Sequence, residues 1–205
     1  MCARVVDKKE KKDQIIEAAI REFAGKGFSK TTINDIANAA GIGKGTVYEY
    51  FSNKEEIVHE TFQFFMHSME PDFQAILISK IPAKEKLRQI LDGFSLSINS
   101  GYHHELMELM FQFWSEAIKD KSSKGLMFDE MIKFYHVYRE IFADIIIEGM
   151  GDGSFRKDIN PRSTAAMIMG TLDGLMVQWI LERETLDFQD ILKAVTITVL
   201  DGITA

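Results

Sequence analysis

Lys44, Thr46, Tyr48, Tyr50 and Lys54 fall within one short stretch, with Gly45 among them. These residue types do not make a nucleophile with its base. A lysine ammonium and a tyrosine hydroxyl suit phosphate oxygens, and a threonine offers a hydroxyl and a methyl to a base edge. A glycine lets the backbone come close to a ligand. The chemistry implied is the gripping of a nucleic-acid duplex.

The elements around this stretch position it. Thr32 is a good N-cap, and Asp35 three residues on completes a capping box. Ile33, Ile36, Ala37 and Ala40 recur at helical spacing and predict a helix over 32–39. Gly41 suits the left-handed turn that ends such a helix. A second helix is predicted over 44–51, with Val47 and Phe51 facing inward. Helix, short turn with glycine, and helix match the helix-turn-helix geometry. The surface left for DNA is Thr32, Lys44, Gly45, Thr46, Tyr48 and Tyr50. Ser52 is expected to cap the next helix, which places Lys54 in its first turn beside backbone N–H groups that favour a phosphate.

The run IIEAAIREFAGKGFSKTTINDIANAAGIGKGTVYEYFSNKEEIV resembles the DNA-binding domain of the TetR/AcrR family of bacterial regulators over Ile15 to Thr61. Its most specific pieces are Ala19, Phe23, Gly27 and Phe28, then Ile36-Ala37 and Ala40-Gly41, then Gly45 to Phe51 with Lys54. The resemblance covers about a quarter of the chain; beyond it only length and helical style match. Gly43 departs from the pattern, since serine is common there and would add a capping hydroxyl. Glu49 is a second departure, an acid on the recognition helix.

The 205 residues carry a net charge of −7. Residues 1–60 hold ten basic and ten acidic groups, so the excess acidity lies beyond them. Lys8, Lys9, Lys11 and Lys12 form a basic run before the motif, either a solvated tail or an arm on DNA. The single cysteine, Cys2, allows no intrachain disulfide. The first residues are charged, so no leader is expected. The longest apolar segments are interrupted, so no membrane span is expected, and a cytoplasmic location follows. No cofactor motif is present.

An all-α fold of about nine helices is expected, with a helix-turn-helix domain over 1–52 and a helical ligand-binding and dimerisation domain over 53–205. Helices are predicted at 10–25, 32–39, 44–51, 53–70, 84–98, 103–118, 126–148, 161–183 and 188–203. The three prolines, Pro71 included, fall at expected helix breaks or starts. The eighth helix is apolar nearly all round and needs partners on two sides. With Gly170 and Gly174 allowing close approach, this predicts a homodimer through residues 161–203. The resemblance implies the same interface and a palindromic operator.

Between these regions the chain is rich in large, soft side chains with a few polar tips, among them Gln112 and Gln178. That composition suits an apolar cavity. The candidate lining is Met66, Met107, Met110 and Phe111, with Trp114, Tyr135, Tyr138 and Trp179. The resemblance implies a ligand pocket here, hence a small apolar or amphipathic effector, with release from the operator the commoner family behaviour. Two other functions compete. Glu56 and His59 have the spacing of one half of a helical-bundle di-metal enzyme site, but no second such pair exists. A helix-turn-helix module that binds protein would leave the lysines and tyrosines of 44–54 unexplained.

Overall fold

The computed structural model describes residues 8–97, 101–120, 126–182 and 184–205. Side chains are described except at 68–72, 95–97, 101–104, 106, 107, 120 and 126. Cys2 and the side chain of Met107 therefore lie outside the described residues. The described residues form nine helices: α1 (Lys8–Lys26), α2 (Ile33–Ala39), α3 (Lys44–Tyr48), α4 (Lys54–Ile78), α5 (Ala83–Ser97), α6 (Gly101–Asp120), α7 (Leu126–Asp152), α8 (Pro161–Leu181) and α9 (Phe188–Ile203).

Local chemistry sets the helix ends. Thr32 Oγ1 accepts from the Asp35 amide, and the Asp35 carboxylate accepts from the Thr32 amide, so the expected capping box forms. Gly41 has φ of 66°, in the region that favours glycine. Asn53, and not Ser52, caps α4 by accepting from the Glu56 amide. Ser52 instead donates its backbone N–H to Glu56 Oε2. Asn160 and Asp187 cap α8 and α9 as expected, and Pro161 opens α8.

The largest departure is α4, which was expected to stop at residue 70 and runs on to Ile78 through Pro71. An interior proline costs a helix about 3 kcal/mol. The extra turns return packing for that loss. The Phe73 ring meets Tyr138 edge-on at 5.2 Å. Buried Lys86 of α5 donates to the Leu77 carbonyl at 3.2 Å and to both oxygens of Glu148 on α7 at 2.9 Å.

α1 packs on α2, α4 and α6; α7 packs on α5, α6 and α8; and α5 meets α9. One contiguous core runs through both regions. The end of α9 is strapped to the turn after α7, where the Arg156 amide donates to the Ile203 carbonyl at 2.9 Å. Gly149 is needed beneath this strap, because a Cβ there would stand 2.1 Å from the Phe155 ring. Contrary to expectation, α8 is long and apolar enough to cross a membrane by length and composition alone. Here it packs against α6, α7 and α9.

Candidate nucleic-acid interface and effector cavity

α3 is shorter than expected. It ends at Tyr48, and the amides of Glu49 and Tyr50 close a tight turn onto the Thr46 and Val47 carbonyls. Val47 and Phe51 are buried and anchor the segment, as their spacing required. Gly43 caps α3 without any side-chain bond. Lys44 and Gly45 are exposed, and Tyr48 is 49% exposed. The Lys44 ammonium lies 5.8 Å from the Tyr48 ring centroid. Thr46 is half-buried beside them, and Tyr50 packs partly onto the core. Thr32 is exposed, with its hydroxyl engaged by Asp35.

Two cations are more committed than the sequence implied. Lys54 Nζ donates to the Phe28 carbonyl at 2.8 Å, bridging α4 to the turn after α1. Lys12 lies 2.8 Å from Glu60 and 5.6 Å from the Phe51 ring centroid. Lys8 to Lys12 are thus the opening of α1, and the described part of the basic run is helix.

The head is tied to the rest of the chain by Gln112 of α6. Its amide donates to the Phe23 carbonyl at 2.7 Å, and its oxygen accepts from the Phe28 amide at 3.0 Å. Gln112 is therefore a clamp between regions and not a polar tip in the cavity. Gln178 is exposed on α8. A line of ring contacts follows the same route. Phe23 meets Phe28 at 4.9 Å, Phe28 meets Phe113 at 5.2 Å, and Phe113 meets Phe62 at 5.0 Å. Phe62 then meets Phe134 at 6.4 Å, and Phe134 meets Tyr138 at 4.7 Å.

Phe134 and Tyr138 form the wall between two openings. Inside lies a small cavity of about 30 Å³ that also touches Met110 and Asp173. Outside lies an open groove of about 270 Å³ between α4 and α7, lined in part by Met66 and Gln63. A further cleft of about 260 Å³ separates Phe28 and Lys54 from Glu116 and Met127. Of the expected lining, Met110 and Tyr138 are at the cavity and Met66 is at the groove. Phe111 is 43% exposed on the outer side of α6. Trp179 is buried against Phe188, its ring 6.1 Å away, and joins α8 to α9. Those two are corrections: α6 and α8 turn them away from the space that Met110 and Asp173 share.

Tyr135 donates its hydroxyl to Asp173 Oδ2 at 2.8 Å. The Trp114 indole N–H is buried towards that hydroxyl and completes no hydrogen bond of good geometry. Burial pushes the Asp173 carboxyl up to about 6, against a smaller lowering from the Tyr135 hydroxyl. Burial also pushes the Tyr135 hydroxyl upward, and the neighbouring carboxylate adds to this. Asp173 is the functional candidate that the sequence reading missed. Its signal was a lone acid within the apolar run TLDGLM.

The competing metal site does not assemble. Glu56 faces the Ser52 amide, and that hydrogen bond holds its carboxyl below the ordinary range. His59 lies 3.9 Å from Glu130 on α7. Among the described residues no three His, Cys, Asp or Glu groups are placed to hold an ion.

Residues 15–61 match the family model for bacterial regulatory proteins of the tetR family. Residues 83–203 match that for the C-terminal part of BetI-type transcriptional repressors. The fatty acid metabolism regulator protein of Bacillus subtilis is 28% identical over 200 residues, covering 96% of this chain and 97% of the relative. The transcriptional repressor KstR2 of Mycolicibacterium smegmatis is 28% identical over 194 residues, covering 95% and 91%. The structure of FadR from Bacillus subtilis in complex with stearoyl-CoA superposes with a TM-score of 0.77 at 26% identity, covering 93% and 98%. The chain belongs to the TetR family of bacterial regulatory proteins, as a DNA-binding transcriptional repressor.

Proposed function

We propose that this repressor binds a palindromic operator as a homodimer and is released from it by a small apolar or amphipathic effector. Residues 1–52 act as the DNA-binding head and 53–205 as the effector and dimerisation domain, with α4 shared between them. Thr32, Lys44, Gly45, Thr46, Tyr48, Tyr50 and Lys54 form the DNA surface. Lys44 and Thr46 lie nearest base edges, while Tyr48 and Lys54 hold phosphates. The cytoplasm, where DNA is accessible, is the expected location.

The observation that carries release is the unbroken line of rings from the cavity wall at Phe134 and Tyr138 to Phe28 and Phe23 in the head. A packed line of this kind has few ways to yield by small amounts, so moving one end shifts the other. An effector that displaces Phe134 pushes α4 through Phe62 and changes the angle of the head. Two heads must match half-sites about 34–36 Å apart, so a small pivot misaligns them. The stearoyl-CoA bound by the Bacillus subtilis relative is amphipathic, which supports that effector class.

The dimer is supported by the outer face of α8 and α9. Met167 and Ile197 are 50% and 59% exposed there, and Gly170 and Gly174 have open space where a Cβ would stand. Leu175 and Met176 are buried within the chain, so charges there would damage its own core. Met167→Glu with Ile197→Glu is the cleaner test. The wild type is expected to sediment as a dimer at micromolar concentration and the double variant as a monomer. DNA selected from random duplexes by the wild type is expected to be an inverted repeat. A monomeric wild type, or selected sites without two-fold symmetry, would overturn the proposal.

A further inference from the structure

The small cavity behind Phe134 and Tyr138 combines two features that an oily ligand does not need. Five aromatic rings line it, those of Phe65, Phe94, Phe134, Tyr138 and Phe142. Asp173 is the one ionisable carboxyl among its described lining residues. Aromatic faces carry negative partial charge and attract cations, most strongly where water is excluded. Asp173 is half-buried, and even a partly desolvated carboxylate is costly without a compensating positive group. Tyr135 occupies Oδ2, and among the described residues no hydrogen bond to Oδ1 is made. Burial raises the carboxyl, and the hydroxyl of Tyr135, a neutral donor, lowers it only in part. Among its described lining residues there is no lysine or arginine. The groove side does hold Lys133, but it is paired with Glu130 at 2.8 Å.

We propose that the effector is an organic cation, an ammonium group on an apolar body, whose charged end is received by Asp173 within the aromatic walls. This rests on the effector reading above and gives it a chemical class. The cavity of about 30 Å³ holds little more than a small head group as it stands. The apolar body has a place in the adjoining groove of about 270 Å³, reached when the Phe134 and Tyr138 rings turn. Cavity and groove together approach the ~300 Å³ lower end of small-molecule sites. Seating the ligand then displaces the same Phe134 ring that begins the line of contacts to the head. An acidic head would meet Asp173 with like charge, and a neutral one would leave it uncompensated.

The test uses the full-length protein and chain-matched probes at pH 7.5: decylamine, decanol and decanoate, with stearoyl-CoA as the ligand of a relative. Binding is read by calorimetry, and operator affinity by fluorescence anisotropy. Decylamine, cationic at this pH, is expected to bind at least about tenfold more tightly than decanol or decanoate. Asp173→Asn is expected to erase that preference. Tyr135→Phe keeps the carboxylate and is expected to retain it. Thermal unfolding of both variants establishes that they are folded; should Asp173→Asn fail to fold, the order of the probes on the wild type decides. Equal or tighter binding of decanol, decanoate or stearoyl-CoA overturns the cation assignment, as does a preference that survives in folded Asp173→Asn. If one of those other probes shifts operator affinity, the effector reading stands and only the cation falls. If no probe binds, the cation assignment fails; if none shifts operator affinity, the effector reading fails with it.

Discussion

The helix-turn-helix head and the cavity proposed for the effector are built on opposite plans. The head takes its shape from neighbours in sequence: Thr32 with Asp35, Gly41 at its turn, Asn53 with Glu56. Two of the side chains proposed to meet DNA, Lys44 and Tyr48, are exposed and pack chiefly on each other. The cavity draws its walls from α4, α5, α6, α7 and α8, and its polar group is half-buried. A surface made by local rules can be rigid while its contact residues vary freely. A space made by long-range packing changes shape when any one of its walls moves. The first plan suits reading a fixed duplex, and the second suits responding to an arrival.

The sharpest way to break this contrast is at the seam. Phe113 is fully buried and touches Phe28 on the head side and Phe62 on the cavity side. Phe113→Ala is expected to cost about 3–5 kcal/mol in urea unfolding, a large share of a domain's total. Tyr48→Ala, on the exposed face, is expected to change stability by no more than about 0.5 kcal/mol while weakening operator binding. If Phe113→Ala costs under ~1.5 kcal/mol, the seam is plastic and cannot transmit a push.

Asp173 gives a smaller effect with a definite sign. Its folded value near 6 lies above the ordinary 3.8, so the folded state holds the proton more tightly than the unfolded chain. Stability then falls as pH rises from about 4 to about 6, and is level above that. Partial solvation reduces the effect to on the order of 1–2 kcal/mol. Asp173→Asn is therefore expected to be more stable than the wild type at pH 7.5 and no more stable at pH 4. An advantage confined to acid pH would reverse the assignment.

The same contrast decides what could be read from the sequence. Caps, turn glycine and the inward pair Val47 and Phe51 depend on residues a few positions apart, so the head was legible almost to its ends. The exception was the last turn of the recognition helix, where a short helix closes early at Tyr48. The expected α4 stopped short because Pro71 is a local breaker, whereas the contacts that carry the helix past it come from Tyr138, far along the chain, and from Lys86 of the next helix. In the cavity, residue type was the only guide. Of the residues it named, Met110 and Tyr138 lie at the cavity, Tyr135 stands beside it on Asp173, and Phe111 and Trp179 face elsewhere, because helix rotation decides which apolar face meets which neighbour. Asp173 is a lone acid in the apolar run TLDGLM, and composition alone does not show that it meets Tyr135.

Lys54 belongs to both regions, and its effect is the smallest and the most discriminating. The sequence placed it in the first turn of α4, where a phosphate is favoured, and its ammonium is now seen on the Phe28 carbonyl. An ammonium has three protons, so one bond to that carbonyl leaves two for a phosphate. Both roles are compatible, and they separate under salt. Losing a part-buried hydrogen bond to a charged donor costs about 1 kcal/mol or a little more, at any salt concentration. Losing a phosphate contact lowers the slope of log affinity against log salt by about 0.9 per contact, for all duplexes alike. Lys54→Ala is expected to do both. A loss of stability with an unchanged salt slope would leave Lys54 as a strut between α4 and the turn after α1. The DNA surface would then end at Tyr50, and every phosphate contact of the head would belong to the locally built unit.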